Sequence, residues 1–238
     1  MNIDQSMRFT VAFARAVATP ASGWCSACVD VLDVSGAGIT MMSGGQTGPL
    51  CVSSKRMANL EDLQFTMGEG PCRDAYASGR PVHAPRFDAG IFARWPAFVE
   101  QARDSGIGGV FAYPMSSNGA KIGVLTLYQD LEGELTSGQH QDSRVMAGVL
   151  AETMLSMQDN APLGVLADGL QDAVAYRAEI HQASGMVSIQ LQVPVAEALV
   201  RIRAHAFASG IPVGAVAAEI VARRLRLSDD RQELAEGV

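Results

Sequence analysis

The sequence predicts an α+β protein in which a mixed domain precedes a small helical module. Through residue 158, segments with the spacing of helices and segments typical of strands follow one another without regular alternation. This order favours an antiparallel sheet with flanking helices over a parallel sheet. From residue 168 onward the pattern is helical only. A chain of 238 residues is long enough for two such domains.

The predicted strands form two pairs. Residues 37–43 and 50–53 indicate a hairpin, with the turn-rich Gly-Gly-Gln-Thr-Gly-Pro segment between them. Residues 108–117 and 121–130 are apolar and are joined by the turn Ser-Asn-Gly-Ala.

Helices are predicted around these strands. Apolar residues at helical spacing cover 7–32, with a break at Pro20–Gly23. A helix runs up to the Gly-Glu-Gly-Pro break at 68–71, and the next covers Cys72–Ser78 and ends at Gly79. A further helix is predicted over Arg94–Ser105, with Pro96 in its first turn.

Two long helical stretches follow, at 137–157 and 165–190, with a break at 160–164. Long helices beside a sensor-like domain are a common means of forming a coiled-coil dimer. The heptads are few and imperfect, so the homodimer is a hypothesis.

Charge is unevenly distributed. The net charge is −7, yet residues 165–228 hold six arginines against five carboxylates. This near-neutral segment lacks the basic footprint of a typical nucleic-acid binder, so charge alone leaves that function as a minority interpretation. No apolar run approaches the roughly 18–20 residues that span a bilayer, and the N-terminal residues lack a signal-peptide pattern. We therefore expect a cytoplasmic protein without membrane contact.

The cysteines, at positions 25, 28, 51 and 72, leave two interpretations open. Cys25 and Cys28 form a C-x-x-C pair, a spacing found in metal and redox sites. They fall at helical spacing with no second pair or histidine to complete a zinc set, so we expect buried thiols. Cys72 begins a helix, a position that suits a redox-sensing thiol. Burial against the helix is the alternative.

No residues have the spacing of a catalytic triad, a cysteine–histidine pair or a metal site, so we expect no enzyme activity, metal or cofactor. An enzyme would have to use Glu69, His83 or Cys72. Haem iron would need His83, for which a surface or capping role is the other interpretation.

Separated motifs between residues 66 and 128 occur in the order of a known family. They are Gly-Glu-Gly-Pro-Cys at 68–72, Arg-Trp-Pro at 94–96, and paired strands ending in Gly-Val-Leu-Thr-Leu-Tyr. With them, residues 7–157 resemble a GAF domain of the actinobacterial type. The resemblance implies signal input or dimerisation.

The resemblance also implies a pocket for an unidentified small molecule, between the sheet and the loops 67–72 and 87–95. The N-K-x-F-D signature of cyclic-nucleotide GAF domains is absent, which disfavours a cyclic nucleotide. The candidate ligand-binding residues are Met67, Glu69, Cys72 and Trp95.

The C-terminal helices carry a second set of family motifs, which are Ala183, Gly185 and Met186, then Glu197-Ala198 and Ile202-Arg203, then Pro212-Val213, Val216-Ala217 and Ile220-Val221. This pattern resembles an ANTAR domain, a three-helix RNA-binding module of transcription antitermination regulators. The resemblance implies that two modules of a dimer bind paired stem-loops of a leader transcript. Ser184 stands where the family usually has lysine.

The candidate RNA-binding residues are a turn of small residues and several arginines. A helix turn without side-chain bulk would let an RNA base approach the backbone, and Arg201 and Arg203, two apart, project in different directions. Helix packing is the alternative role for Ala183, and a solvated helix end is the alternative for the last arginines. The predicted set is Gln182, Ala183, Ser184, Gly185, Arg201, Arg203, Arg223 and Arg224.

We therefore predict a GAF-like sensor domain at 1–158, a connector at 159–167, an ANTAR-like RNA-binding domain at 168–228 and an acidic tail at 229–238. The predicted function is transcription regulation by RNA binding and antitermination. The alternative is a small-molecule or redox sensor whose helical C-terminus binds a protein partner.

Overall fold

The computed structural model of the protein describes residues 21–43, 46–159 and 168–228. The predictions for 7–20, for the break at 160–164 and for the acidic tail lie outside these residues. The chain divides into two compact units, Met1–Val174 and Ala175–Val238.

The first unit contains five strands and the helices around them. In chain order its elements are α1 (Trp24–Leu32), β1 (Gly36–Ser43), β2 (Gln46–Val52), α2 (Lys55–Met67), α3 (Pro71–Ser78), β3 (Val82–Ala84), α4 (Ala89–Arg94), α5 (Pro96–Asp104), β4 (Gly109–Ser117), β5 (Ala120–Gln129) and α6 (Ser137–Asp159). The helices that follow are α7 (Asp168–Leu191), α8 (Val195–Ser209) and α9 (Val213–Val221).

The strands form one antiparallel sheet in the order β2-β1-β5-β4-β3. The turn between β4 and β5 contains Asn118 and Gly119, whose φ angles of 50° and 83° lie in the left-handed region. Asparagine and glycine adopt that region most readily, as the predicted turn requires. The α+β class and the antiparallel sheet are confirmed. β3 was not predicted, because three residues are too few for a periodic signal.

Each face of the sheet supports its own apolar core. On one face, Phe111, Tyr113 and Leu127 pack with apolar residues of α1 and α6. On the other face, Val110 and Val124 pack with residues of α2, α3 and α5. Because both faces of β4 and β5 are covered, their sequences are nearly continuous apolar runs rather than alternating ones.

Helix ends follow recognisable capping chemistry. The Oγ of Ser54 accepts a hydrogen bond of 3.2 Å from the backbone N–H of Met57 and so caps α2. Pro71 begins α3, and Gly79 ends it with a left-handed φ of 67°. The predicted stop at Gly79 is confirmed.

The helix predicted over Arg94–Ser105 is confirmed as α5, which has Pro96 in its first turn, and a further helix that was not predicted, α4, ends just before it at Arg94. The sequence contained a start signal for α4 that was missed. The Oδ1 of Asp88 accepts hydrogen bonds from the backbone N–H groups of Gly90 and Ile91, at 3.0 and 3.1 Å. The bond from Ile91 is the main cause that lowers the pKa of the Asp88 carboxyl.

A disulfide between Cys25 and Cys51 joins α1 to the edge strand β2. The prediction that Cys25 would be a free buried thiol is therefore wrong, because β2 brings Cys51 beside the helix. Cys28 is a free buried thiol as predicted, and burial raises its pKa to about 12. A thiol that resists ionisation is a poor nucleophile and a poor metal ligand.

The long helix α6 covers the stretch predicted at 137–157. Met146, Leu150 and Met154 lie in the core at four-residue spacing. Val145 lies outside this buried row and is 47% exposed. The homodimer stays a prediction.

Candidate nucleic-acid interface

The three C-terminal helices are held together by small and β-branched side chains. On α8, Ala198, Ile202 and Ala206 are buried at four-residue spacing and form one stripe. Alanine at such positions lets neighbouring helices approach closely. The other helices contribute the buried residues Ile180, Ala183, Ser184 and Val187 on α7 and Val213, Val216, Ala217 and Ile220 on α9.

Ala183 and Ser184 lie inside this core. Ala183 is fully buried, and Ser184 is buried with its Oγ donating a 2.8 Å hydrogen bond to the carbonyl oxygen of Ile180. The folded unit therefore hides both side chains from RNA. This corrects the expectation that the whole turn is open, and it favours the packing alternative for Ala183.

Gln182 and Gly185 are the members of the first-helix set that solvent reaches. Gln182 is exposed and Gly185 is half-buried. Among the described residues, a methyl group at Gly185 would meet no atom within 4 Å beyond its own helix. Glycine inside a helix costs about 0.5–1 kcal/mol relative to alanine. Packing against the described residues therefore does not require this glycine.

Arg201 and Arg203 point in different directions on α8, as their spacing requires. The Nη2 of Arg201 donates a 2.9 Å hydrogen bond to the Oε1 of Glu197, one turn earlier. Arg201 thus braces its own helix through an ion pair worth about 0.3–0.5 kcal/mol. Arg203 is half-buried and lies one turn before Phe207 on the sequence.

The arginines after α9 divide into two kinds. The Nε and Nη2 groups of Arg224 donate hydrogen bonds of 2.9 and 2.8 Å to the two carboxylate oxygens of Glu219. This hydrogen bonding lowers the pKa of Glu219 and raises that of Arg224. Arg223 is exposed and has a left-handed φ of 59°. Arg224 is therefore largely neutralised by its own neighbour, whereas Arg223 lies open to solvent.

Large apolar side chains reach the surface of this unit at several points, which the sequence analysis missed. Phe207 is 54% exposed and Val200 is 58% exposed, both on the outer side of α8. The signal was present in the spacing, because the two residues are seven apart and so share a helix face opposite the buried stripe. The other exposed large apolar residues among 178–228 are Ile189, Val195 and Ile211.

The four predicted ligand residues of the first unit contribute to packing and capping. Met67, Cys72 and Trp95 belong to one apolar cluster that also contains Phe98. Cys72 is buried, which favours the structural alternative over a redox-sensing thiol. Its backbone N–H donates a 2.7 Å hydrogen bond to the side-chain oxygen of Gln64.

Glu69 and Trp95 each hold a neighbouring helix in place. The Oε1 of Glu69 accepts a 3.0 Å hydrogen bond from the backbone N–H of Phe98 and so caps the start of α5. The Nε1 of Trp95 donates a 3.2 Å hydrogen bond to Asp74, and the guanidinium of Arg94 lies over its ring at 4.6 Å. These contacts give Glu69 and Trp95 structural roles. Their assignment as ligand-binding residues stays a prediction.

His83 takes part in a ring cluster beneath α6. Its imidazole stacks on that of His140, with ring centroids 4.4 Å apart, and the Nδ1 of His140 lies 2.7 Å from the hydroxyl of Tyr113. Burial raises the pKa of Tyr113 to about 12. Desolvation, with a smaller contribution from His140, lowers the pKa of His83. The cluster gives His83 a packing role instead of the surface role expected.

Among the described residues, no single helix is long and apolar enough to cross a membrane. Ala178–Leu191 and Val195–Ser209 meet those limits of length and composition only as a pair, bent by 104°.

Comparison with known proteins gives separate results for the two parts of the chain. Residues 168–221 match the ANTAR domain family. This match spans α7 to α9, the helices that carry the candidate RNA-binding residues. A search of curated proteins finds no match to the chain.

Solved structures resemble the first part. The GAF domain of an Acinetobacter phosphoenolpyruvate-protein phosphotransferase aligns with a TM-score of 0.51 and 8% identity, over 68% of this chain and 99% of that one. The GAF domain of the Coxiella burnetii phosphoenolpyruvate-protein phosphotransferase aligns with a TM-score of 0.51 and 13% identity, over 67% of this chain and 98% of that one. At these identities the likeness concerns the fold. The chain therefore combines a domain of the GAF fold with a C-terminal ANTAR domain at residues 168–221.

Proposed function

We propose that the protein is an RNA-binding transcription regulator that acts by antitermination. The observation that carries the proposal is the match of residues 168–221 to the ANTAR domain family. A bound RNA stem-loop would be stabilised at the expense of a competing terminator, so that transcription continues. The GAF-fold domain would supply signal input or dimerisation, with a small-molecule ligand of unknown identity. The domain boundaries at 158, 167 and 228 belong to the same proposal.

The proposed RNA surface is narrower than the predicted set of residues. It retains Gln182, Gly185 and Arg203 together with the exposed Arg223. Arg201 and Arg224 are occupied by Glu197 and Glu219, so RNA would have to compete with those carboxylates. A segment with six arginines against five carboxylates over residues 165–228 would bind RNA by shape and local contacts more than by general attraction of phosphate.

Recovery of cellular RNA with the full-length chain, followed by sequencing, tests the proposal directly. We expect enrichment of leader transcripts with two adjacent stem-loops. In transcription through such a leader, the protein should increase the fraction of full-length transcript. Absence of RNA binding at low salt would contradict the proposal.

Arg203→Ala tests the proposed phosphate contact. We expect weaker binding to a recovered stem-loop RNA and a salt slope, d log K/d log[salt], reduced in magnitude by about one. Arg80→Ala is the matched control, because it lies at an exposed position outside the second unit (Ala175–Val238, called the ANTAR unit below). It should change neither the affinity nor the salt slope. Unchanged affinity of a folded Arg203→Ala protein at several salt concentrations would remove Arg203 from the surface.

A regulator whose ANTAR unit binds a protein partner is the second candidate. The exposed apolar side chains of that unit favour it, since large exposed apolar patches commonly mark interaction sites.

A further inference from the structure

The outer face of α8 carries an aromatic ring that is not part of the buried core. Phe207 is 54% exposed at the C-terminal end of the helix. Burying a phenylalanine side chain stabilises a fold by about 1.5–3 kcal/mol, so a ring left outside a small domain forgoes a large gain. The ring is therefore available to a binding partner.

The surroundings of Phe207 leave the ring accessible. Ala204, which precedes it on the same side of the helix, is exposed and has only a methyl group. Gly210 ends α8 with a left-handed φ of 65°, so the chain turns away directly after the last helical turn. The methyl group of Ala204 therefore leaves one side of the ring open to a flat group.

Arg203 lies one helical turn before Phe207. This four-residue spacing brings the Cβ atoms of two helical residues within about 5–6 Å. Arg203 is half-buried and its Nε is buried. The exposed ring of Phe207 is therefore the planar group of this face on which a nucleobase can stack.

We propose that Phe207 forms a stacking platform for an unpaired base of the bound RNA, with Arg203, one turn before it, contacting the adjoining phosphate. The inference rests on the proposed function and specifies how the ANTAR unit selects its RNA. Bases in a continuous duplex are stacked on one another, whereas bases in a loop are free to stack on a protein ring. Stacking also supplies affinity that does not depend on charge, which suits a unit with six arginines and five carboxylates over residues 165–228.

The size of the face argues against a second protein molecule as its occupant. A stable protein interface uses about 800 Å² from each partner. The outward residues Val200, Ala204 and Phe207 of a 15-residue helix supply only part of such an area. One base against one ring needs no more surface than this face offers.

Binding measurements on Phe207 variants of the full-length chain test the platform. The probes are a two-stem-loop RNA recovered with the wild-type chain and the same RNA with its loops replaced by paired stem. Phe207→Ala should weaken binding to the first RNA by about 5- to 100-fold while leaving the salt slope unchanged, because the ring carries no charge. Phe207→Tyr should keep the wild-type affinity, and Phe207→Leu should lose it despite its apolar side chain.

The controls separate stacking from folding and from apolar contact in general. Val200→Ala removes an exposed apolar group on the same face and should leave the affinity unchanged. Far-UV circular dichroism should show that each variant keeps its helices.

Each contrary result has its own meaning. A wild-type chain that binds no RNA overturns the proposed function and the platform with it. If Phe207→Ala or Phe207→Leu binds the RNA as tightly as the wild-type chain does, the platform is overturned and the proposed function stands. If Phe207→Ala instead converts a dimer into a monomer in the absence of RNA, the face belongs to a second copy, and the platform is again overturned.

Discussion

The cores of the two units are built from side chains of different size. The GAF-fold unit (Met1–Val174) buries large rings in its core, where Trp24, Trp95, Tyr113 and Phe98 are each at most 2% exposed, although Phe92 and Leu131 lie on its surface. The ANTAR unit builds its core from alanine, valine and isoleucine and leaves its single phenylalanine, Phe207, on the surface.

This difference indicates what each unit is built to do. Large buried rings and a disulfide fix the shape of the sheet and its flanking helices, which suits a scaffold. Small buried side chains let short helices pack closely without using the larger ones, so those remain available for contact. In the ANTAR unit the exposed large apolar side chains include Val200 and Phe207 on one face of α8.

Loss of the disulfide should have the largest effect, and it should affect the GAF-fold unit alone. Cys25 and Cys51 are 26 residues apart, and closing a loop of this size stabilises the folded state by roughly 3 kcal/mol. We expect Cys51→Ser to lower the free energy of unfolding by about that amount. Urea unfolding followed by tryptophan fluorescence measures it, since both tryptophans lie in this unit.

Reductant provides the control for this prediction. It should shift the wild-type transition to that of Cys51→Ser and leave the variant unchanged. Equal transitions for oxidised wild type and Cys51→Ser would show that the cross-link does not stabilise the sheet.

Replacement of Gly185 should have a smaller effect, confined to the ANTAR unit. Because a methyl group at this position meets open space among the described residues, Gly185→Ala should stabilise α7 by about 0.5–1 kcal/mol. Thermal unfolding followed by circular dichroism at 222 nm measures the change. Gly214→Ala on α9, also in open space, is the matched control.

RNA binding by the same variant sharpens the interpretation. If Gly185→Ala is more stable than the wild type but binds RNA more weakly, the turn that contains Gly185 contacts the RNA. Loss of stability would instead mean that the space beside Gly185 is filled by part of the chain.

The smallest expected effect is a pH dependence that arises in the GAF-fold unit. The pKa of His83 is lowered in the folded state, so the unfolded state binds its proton more readily. The contribution of His83 to the free energy of unfolding is fully present above the pKa of the unfolded state, about 6.5. It is lost as the pH falls from there toward the pKa of the folded state. His140, Glu134 and Arg144 are the other ionisable groups that act on it.

His83→Gln should reduce this dependence. Denaturant unfolding of both proteins between pH 7.5 and about 5 measures it, since this range covers the ordinary titration of histidine. Identical slopes for wild type and variant would show that the stacked imidazole does not couple protonation to folding.

Much of the fold could be predicted because it is encoded locally. The turn at Asn118–Gly119, the break at Gly-Pro before α3 and the stop at Gly79 each depend on the conformational preferences of one or two residues. The short helix α4 was missed, although Asp88 carries the capping signal for it.

The candidate site was predicted less well, because a helical pattern does not say which of its faces is inside. Small residues at 183–185 are compatible with close helix packing and with close approach of RNA. Burial of Ala183 and Ser184 assigns those two to packing. Arg201 and Arg203 look alike in the sequence, and only the structure shows that Arg201 pairs with Glu197.

The sequence by itself determined the two-part architecture, the antiparallel sheet and the position of the C-terminal helices, since these depend on periodicity and on turn residues along the chain. Only the tertiary structure decided which residues far apart in the sequence meet. It joined Cys25 to Cys51, stacked His83 on His140 and left Phe207 outside the core. The physical reason is that contact depends on how elements pack in space, which the periodicity of a single element does not encode.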